Sequence, residues 1–547
     1  MRCPVLLPYA LFAILPTLFC ATATAAAPKF AGVFSDHAVL QRDMAVPVWG
    51  TADAGSEIVV EFDGQKKIAQ ADANGKWRVK LDAMPASAIP RELKMSDAKN
   101  PAAGVVLHDI LVGEVWIGSG QSNMDFPVYI FTADDPHLAA NAKATYPLLR
   151  LLKKGNGHKW EEAKPESIAK FSAMLFSFGM PLQKQLNVPV GLMAGAVSGT
   201  PSGLWLSEEM YREDADCAAV AKKFAETYDY PKEKTKYDEE MKGYEEKLAK
   251  WKERADAAKK AGGQPPRAPR APYPLVAVGE CNRGKIGNLF ESFIRPYVGY
   301  GIRGVLWDQG ESRTAILGVD QATLMRALIR GWRKEWDQGD FPFLYIQKPS
   351  GGGPAWDYTN AVTEKANPFS ILPTMVPAPD TGDYTYALHL RIMKNPNTFM
   401  ITSTDLGPGT HPQNKSGYGA RGAMVAMNTV YGGKAEYCGP QYASHEIKAD
   451  KVIIKFTHVG QGLAFRNGDK LQGFAVAGND RQFVWADAMF EGDTVVVSSK
   501  TVTKPAAVRY AWANQFPWAN LFNKDGLPAQ PFSTEELDIK CNSSDRH

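Results

Sequence analysis

At 547 residues the chain exceeds what one hydrophobic core usually organises, so two or three domains are expected. Its 62 basic and 59 acidic side chains leave a net charge of +3, which gives no concentrated basic surface for nucleic acid. No stretch after residue 27 approaches the roughly 20 apolar residues of a membrane span, so no membrane insertion of the mature chain is expected.

The chain opens Met1-Arg2-Cys3-Pro4, continues through an apolar run over 5–19 and leaves through alanine-rich residues 21–27. That order reads as a secretory signal peptide over 1–27, so the mature protein is expected to be exported, periplasmic or extracellular. Cys20 raises a lipoprotein alternative, against which the bulky Phe19 argues. The later cysteines, Cys217, Cys281, Cys438 and Cys541, are too widely spaced for a local zinc knuckle. They allow three disulfide pairings in an oxidising compartment, and no spacing selects one.

Residues 28–109 read as a small N-terminal β-sandwich. Strands are expected at 46–50, 57–62 and 76–81, with Asp63-Gly64 and Asn74-Gly75 as hairpin turns between them. Residues 110–435 mix apolar strands with helical periods, as an α/β domain does. A helix is expected over 171–182 and further strands at 188–194, 304–307, 343–346 and 399–402, in a mainly parallel sheet with right-handed crossovers. The Lys- and Glu-rich stretch 211–261 reads as an inserted, charged helical hairpin, with Asp238–Lys242 and Glu246–Lys250 at i,i+4. Residues 436–547 return to β-character, with strands at 452–456 and 494–498.

The chemistry concentrates where apolar runs end. The strand through Trp116 and Ile117 breaks at glycines into Gly120-Gln121-Ser122-Asn123-Met124-Asp125, placing the Ser122 hydroxyl at a strand's carboxyl end, where open α/β sheets hold their sites. The spacing is not the G-x-S-x-G elbow, and a polar turn is the other reading. Ester hydrolysis needs a nucleophile, a base that later protonates the leaving oxygen, and donors for the oxyanion. Among nine histidines, His411 has the best context, in Gly409-Thr410-His411-Pro412-Gln413-Asn414-Lys415 after the strand at 399–402.

These blocks resemble the sialate O-acetylesterase family, within the SGNH (GDSL-like) serine hydrolases, and the resemblance runs over nearly the whole mature chain. It implies an SGNH-like three-layer domain flanked by an N-terminal β-sandwich and a C-terminal β-domain. It implies Ser122 as nucleophile and His411 as base, with the backbone N–H groups of Ser122 and Gly199 as oxyanion donors. Gly199 lies in Ser198-Gly199-Thr200-Pro201, upstream of Trp205, where Ser198 replaces a family glycine. Gln121, Trp205, Gln309, Glu311 and Arg313 are expected to line the substrate. In Trp307-Asp308-Gln309-Gly310-Glu311-Ser312-Arg313 the arginine stands where relatives carry an oxyanion-donating asparagine. It is left between oxyanion donor, ligand for a substrate carboxylate, and partner of Asp308. Gly409 occupies the position of the usual triad aspartate, leaving Asp405 as the nearest acid, with Asp308 and Glu311 as alternatives. His37, in a stretch resembling the family's opening, is read as a structural or rim residue.

The function implied is removal of acetyl groups from an O-acetylated carbohydrate, sialate first, through an acetyl-serine, with no cofactor and no metal. An acetylxylan or other polysaccharide acetylesterase is the nearest alternative. A non-catalytic carbohydrate-binding protein on a decayed scaffold is the other. Protein partners are not indicated.

Overall fold

The computed structural model describes residues 27–153, 159–377 and 383–535. The signal-peptide reading and Cys541 therefore lie outside the described residues.

The central sheet is built around one long strand, Asn100–Gly120. On one side it pairs in parallel with Val190–Ala196, which pairs in parallel with Tyr146–Lys153. On the other side follow Gly304–Asp308, Phe343–Ile346 and Thr398–Ile401, all parallel. Trp160–Ala163 closes one edge antiparallel to Tyr146–Lys153. Chain order places the first strand in the middle with later strands on both sides, so the crevice at its carboxyl end is a topological switch point.

Both faces of the sheet are covered, which explains the near-continuous apolar runs in its strands. Trp116, Leu192, Leu306 and Leu344 point to a core shared with the helices Ala173–Leu186 and Lys415–Thr429. The alternate residues Val115, Ile117, Met193, Val305 and Phe343 belong to a second core that also takes in the helix Gln321–Trp336, where Trp332 packs on Phe343. Local signals set the helix ends. Ser172 accepts from Leu175 N at 3.1 Å and Asp320 from Ala322 N at 2.9 Å, each relieving an orphan N-terminal donor. Asn187 and Asp337 end these two helices in the left-handed region.

The expected N-terminal strands form, but the strand bridging residues 109 and 110 is unbroken. Val39–Gln41 and Ser87–Asp97 pair with the same strand whose far end reaches Gly120. Glu114, midway along it and fully buried, accepts from Gln41 at 3.2 Å and pairs with Arg42 and, at 2.7 Å, with Arg303. Burial pushes this carboxyl up, and the two guanidiniums outweigh it, holding it below the ordinary carboxylate value. His37 pairs with Asp109 at 2.6 Å.

The charged insertion forms helices Ala215–Ala225 and Tyr230–Lys260. The return leg from 261 to 279 carries no helix and folds back on the second one, where Trp251 Nε1 donates to Pro266 O at 2.7 Å. Its i,i+4 ion pairs are Lys234–Asp238 and Lys236–Glu240, a register different from the one expected. After residue 440 two antiparallel four-stranded sheets share a third core, centred on Val452, Phe474, Val508 and Phe532.

Candidate active site

Register aligns the ends of the three central strands. Gly120 stands opposite both Ala196 and Asp308, so the loops that follow open into one crevice. Gly120 adopts φ 129°, and a Cβ there would meet the Asp308 carbonyl oxygen at 2.1 Å. Only glycine lets the backbones approach this closely, and the next residue uses the approach: Gln121 N donates to Asp308 O at 2.9 Å. The chain then turns into the short helix Ser122–Asp125, with Ser122 at its first position.

His411 Nε2 lies 2.9 Å from Ser122 Oγ, although 289 residues separate them. Ser122 is almost wholly buried, while His411 keeps an exposed edge and packs its ring 5.0 Å from that of Phe126. Burial lowers the affinity of His411 for a proton. The Lys415 charge lowers it further, and the Glu311 carboxylate opposes both. The imidazole is therefore neutral near pH 7, the state a general base requires.

The loop carrying Gly199 is tied to the serine turn. Asp125 Oδ2 accepts from Ser198 N at 3.1 Å and from Ser198 Oγ at 2.7 Å, and Val197 N donates to Gly120 O at 3.3 Å. Ser198 thus spends its N–H on the scaffold. The N–H groups of Ser122 and Gly199 have no partner among the described residues. Gly199 is exposed at φ 72°, with open space where a side chain would stand.

Asp405 does not orient the base. Its carboxylate is fully buried and meets Arg421 at 3.1 and 2.8 Å, a two-pronged pair inside the scaffold. Asp308 is equally occupied, 2.7 Å from Lys348 Nζ. Gly409 is exposed at φ 108°, and His411 Nδ1 has no hydrogen-bond partner among the described residues. The geometry is a serine–histidine pair, with Glu311 as the carboxylate whose field reaches the imidazole.

Beneath this pair runs a buried polar network that sequence reasoning missed. Lys348 Nζ sits 2.7 Å from both Asp308 Oδ1 and Glu311 Oε1. Asn123 Nδ2 donates to Glu311 Oε1 at 3.0 Å and to Thr410 O at 2.9 Å, while Asn123 Oδ1 accepts from Lys415 Nζ at 2.6 Å. Burial favours the neutral amine of Lys348, but its two carboxylates outweigh this and hold it charged. Asp308, the deeper acid, is raised by burial, whereas in Glu311 the attraction of Lys348 overcomes burial and lowers the carboxyl. Among the described residues Lys415 pairs with no carboxylate, and burial pulls it down to about 7. Its Nζ lies 4.6 Å from the centre of the Phe131 ring. Lys348 sits just past the strand Phe343–Ile346, and Lys415 closes the histidine block, so strand-end position was the available signal.

The five residues expected to line the substrate have the following surroundings. Trp205 is fully buried and donates to Thr200 Oγ1 at 3.0 Å, so it offers no ring face to a sugar. Gln309 spans Gln321 at 2.9 Å and Arg313 O at 3.0 Å, and Gln121 accepts from Ser312 N at 3.3 Å. Each braces a loop. Glu311, with 20% of its side chain exposed, belongs to the charged network. Arg313 is exposed at φ 52°, and its carbonyl also accepts from Ser202 N at 2.9 Å, so its backbone fixes the turn. Another histidine, His389, is buried behind Lys348, and burial drives it down to about 3. It is no rival base.

Known proteins resemble this chain over most of its length. The sialate O-acetylesterases of Homo sapiens and Pongo abelii are each 24% identical over 554 aligned residues, covering 92% of this chain and 92% of theirs. A carbohydrate acetylesterase from Xanthomonas citri matches in structure with a TM-score of 0.69 and 25% identity, over 93% of this chain and 100% of that one. The chain is a homologue of the sialate O-acetylesterases. No family model matches the sequence. The similarity to these esterases extends beyond the serine block to the flanking β regions, as the shared coverage requires.

Proposed function

We propose that this protein is an exported carbohydrate acetylesterase that works through an acetyl-serine, with O-acetylated sialic acid as its first candidate substrate. The observation that carries the reading is the 2.9 Å approach of His411 Nε2 to Ser122 Oγ at the carboxyl ends of the central strands. Homology to the sialate O-acetylesterases and to a carbohydrate acetylesterase supports the acetyl ester and the carbohydrate.

The chemistry follows from the positions. Neutral His411 takes the Ser122 proton as Oγ attacks the acetyl carbonyl. The oxyanion that develops is met by the N–H groups of Ser122 and Gly199. The imidazolium then protonates the departing sugar oxygen, and a water activated by the same ring releases acetate from Ser122. Without a carboxylate on Nδ1, the imidazolium is stabilised through space by Glu311, a weaker arrangement than a hydrogen-bonded acid.

An acetylxylan or other neutral polysaccharide is the second substrate reading. Exposed Arg313, on the loop after Asp308, favours an acidic sugar over a neutral one, since a guanidinium matches a carboxylate in charge and geometry. The test is acetate release from a panel of O-acetylated sialosides and xylans, with Ser122→Ala beside the wild type. The expected result is release from sialosides by the wild type and none by Ser122→Ala, with an unchanged far-UV spectrum. Near-wild-type turnover in that variant would refute the serine mechanism. Sugar binding without acetate release would favour the non-catalytic alternative.

A further inference from the structure

Away from the esterase crevice, where the last helix of the α/β region hands over to the C-terminal sheets, three side chains of different donor type converge. The ligand atoms of Glu436, Cys438 and His458 all lie within 4.8 Å of one another. His458 Nδ1 is 2.8 Å from Glu436 Oε1. Cys438 is buried, and Glu436 and His458 are partly buried, with 18% and 26% of their side chains exposed.

The scaffold around them is built. Asn523, fully buried, donates through one amide nitrogen to the carbonyls of Cys438 at 3.3 Å and His458 at 3.2 Å, fixing the two backbones against each other. His458 is held at φ 56°, a left-handed conformation that residues with side chains seldom adopt and that turns the imidazole toward Cys438 and Glu436. Tyr437 packs edge-on against the imidazole at 5.1 Å. Gln441 Nε2 points at Cys438 Sγ from 3.4 Å, where it would donate to a thiolate. Amide donors of this kind surround metal-bound sulfur and orient it.

We propose that Glu436, Cys438 and His458 form a binding site for one zinc ion, with water completing the tetrahedron. Sulfur, nitrogen and carboxylate oxygen together suit zinc better than magnesium or calcium, which take oxygen ligands. Zinc bonds are about 2.0–2.3 Å long, and small side-chain rotations bring the three donors onto one ion. The Glu436–His458 hydrogen bond is exchanged for two metal bonds. Zinc binds the thiolate, so the Cys438 proton passes to solvent on binding. Affinity therefore rises with pH. Among the described residues no hydrogen bond or ion pair joins these three side chains to Ser122 or His411, so the site stands or falls separately from the proposed function.

The test uses the full mature protein, stripped with a chelator and titrated with zinc chloride and then with cobalt chloride. One zinc per chain is expected by elemental analysis, with a thiolate-to-cobalt absorption band and a higher Tm in zinc. Cys438→Ser and His458→Ala should abolish the band, and Gln441→Leu should weaken zinc binding by roughly 10–100-fold. Glu436→Gln, which alters no volume, guards against variants that fail to fold and should also weaken binding. Ester hydrolysis should be the same with and without zinc. Equal zinc content in wild type and Cys438→Ser would overturn the proposal, as would no retained zinc at micromolar free metal. A disulfide joining Cys438 to Cys541 in the purified protein would overturn it too.

Discussion

Asn123 Nδ2 donates to Thr410 O at 2.9 Å, so the residue after Ser122 holds the residue before His411. The Ser122–His411 distance is therefore set by more than the loop that carries the histidine. One amide spans the gap, and Lys415 and Glu311 keep that amide from rotating.

Replacing Asn123 by Asp retains an acceptor for Lys415 but removes the donor to Thr410 and sets a charge beside Glu311. The expected result is a fall in kcat of about 100-fold with KM little changed, since a displacement of about 1 Å at a reacting group costs that much. Single-turnover kinetics on an acetyl ester measures it. An unchanged kcat would show that the histidine loop needs no such tether.

The pH profile separates the two charges that act on the base. His411 is depressed by burial and by Lys415 and raised by Glu311. Lys415→Met removes a cation that opposes protonation, so the His411 pKa rises and the acid limb of kcat/KM moves to higher pH. Glu311→Gln removes an anion that favours protonation, so the limb moves to lower pH. Opposite shifts are expected, and two shifts of the same sign would remove both groups from the electrostatics of the base.

Asp405→Asn tests a structural assignment. The Asp405–Arg421 pair is buried on both sides, with Arg421 4% exposed, and removing one partner leaves an uncompensated charge. A loss of about 3–5 kcal/mol in unfolding free energy is expected by denaturant titration. The folded variant should keep the wild-type pH profile, which a triad acid would not.

Arg313→Ala is expected to raise KM for an O-acetylated sialoside by roughly tenfold, the loss of one charge-assisted contact. Its kcat on a small neutral acetyl ester should stay within a few-fold of wild type. A drop of roughly two to three orders of magnitude in that kcat would instead assign Arg313 to the oxyanion.

Strands and helices were legible because the α/β region keeps its periods: 304–307, 343–346 and 399–402 all lie within or beside observed strands. The blocks carrying Ser122 and His411 stood out in the sequence, and the fold brings the two side chains within 2.9 Å. What the sequence hid was side-chain direction. Asp405 lies six residues before His411 in the chain, yet its carboxylate turns to Arg421, sixteen residues on, because that helix returns under the loop. Trp205 carries the aromatic surface that sugar binding needs but spends it on the core around Trp307 and Trp332. A lone lysine after a strand, such as Lys348, has no period or spacing to mark it. Only the packed fold shows that two carboxylates depend on it.

The unbroken strand from Asn100 to Gly120 bears on how the protein can be taken apart. Here the strand that ends at the nucleophile turn begins as a partner of Ser87–Asp97, and Glu114 draws charged partners from both sides of that span. Excising residues 28–99 would bare one edge of the strand and strip Glu114 of Arg42 and Gln41. The N-terminal region thus shares one continuous strand with the turn that carries Ser122, and a chimera made by swapping it must carry the whole strand across.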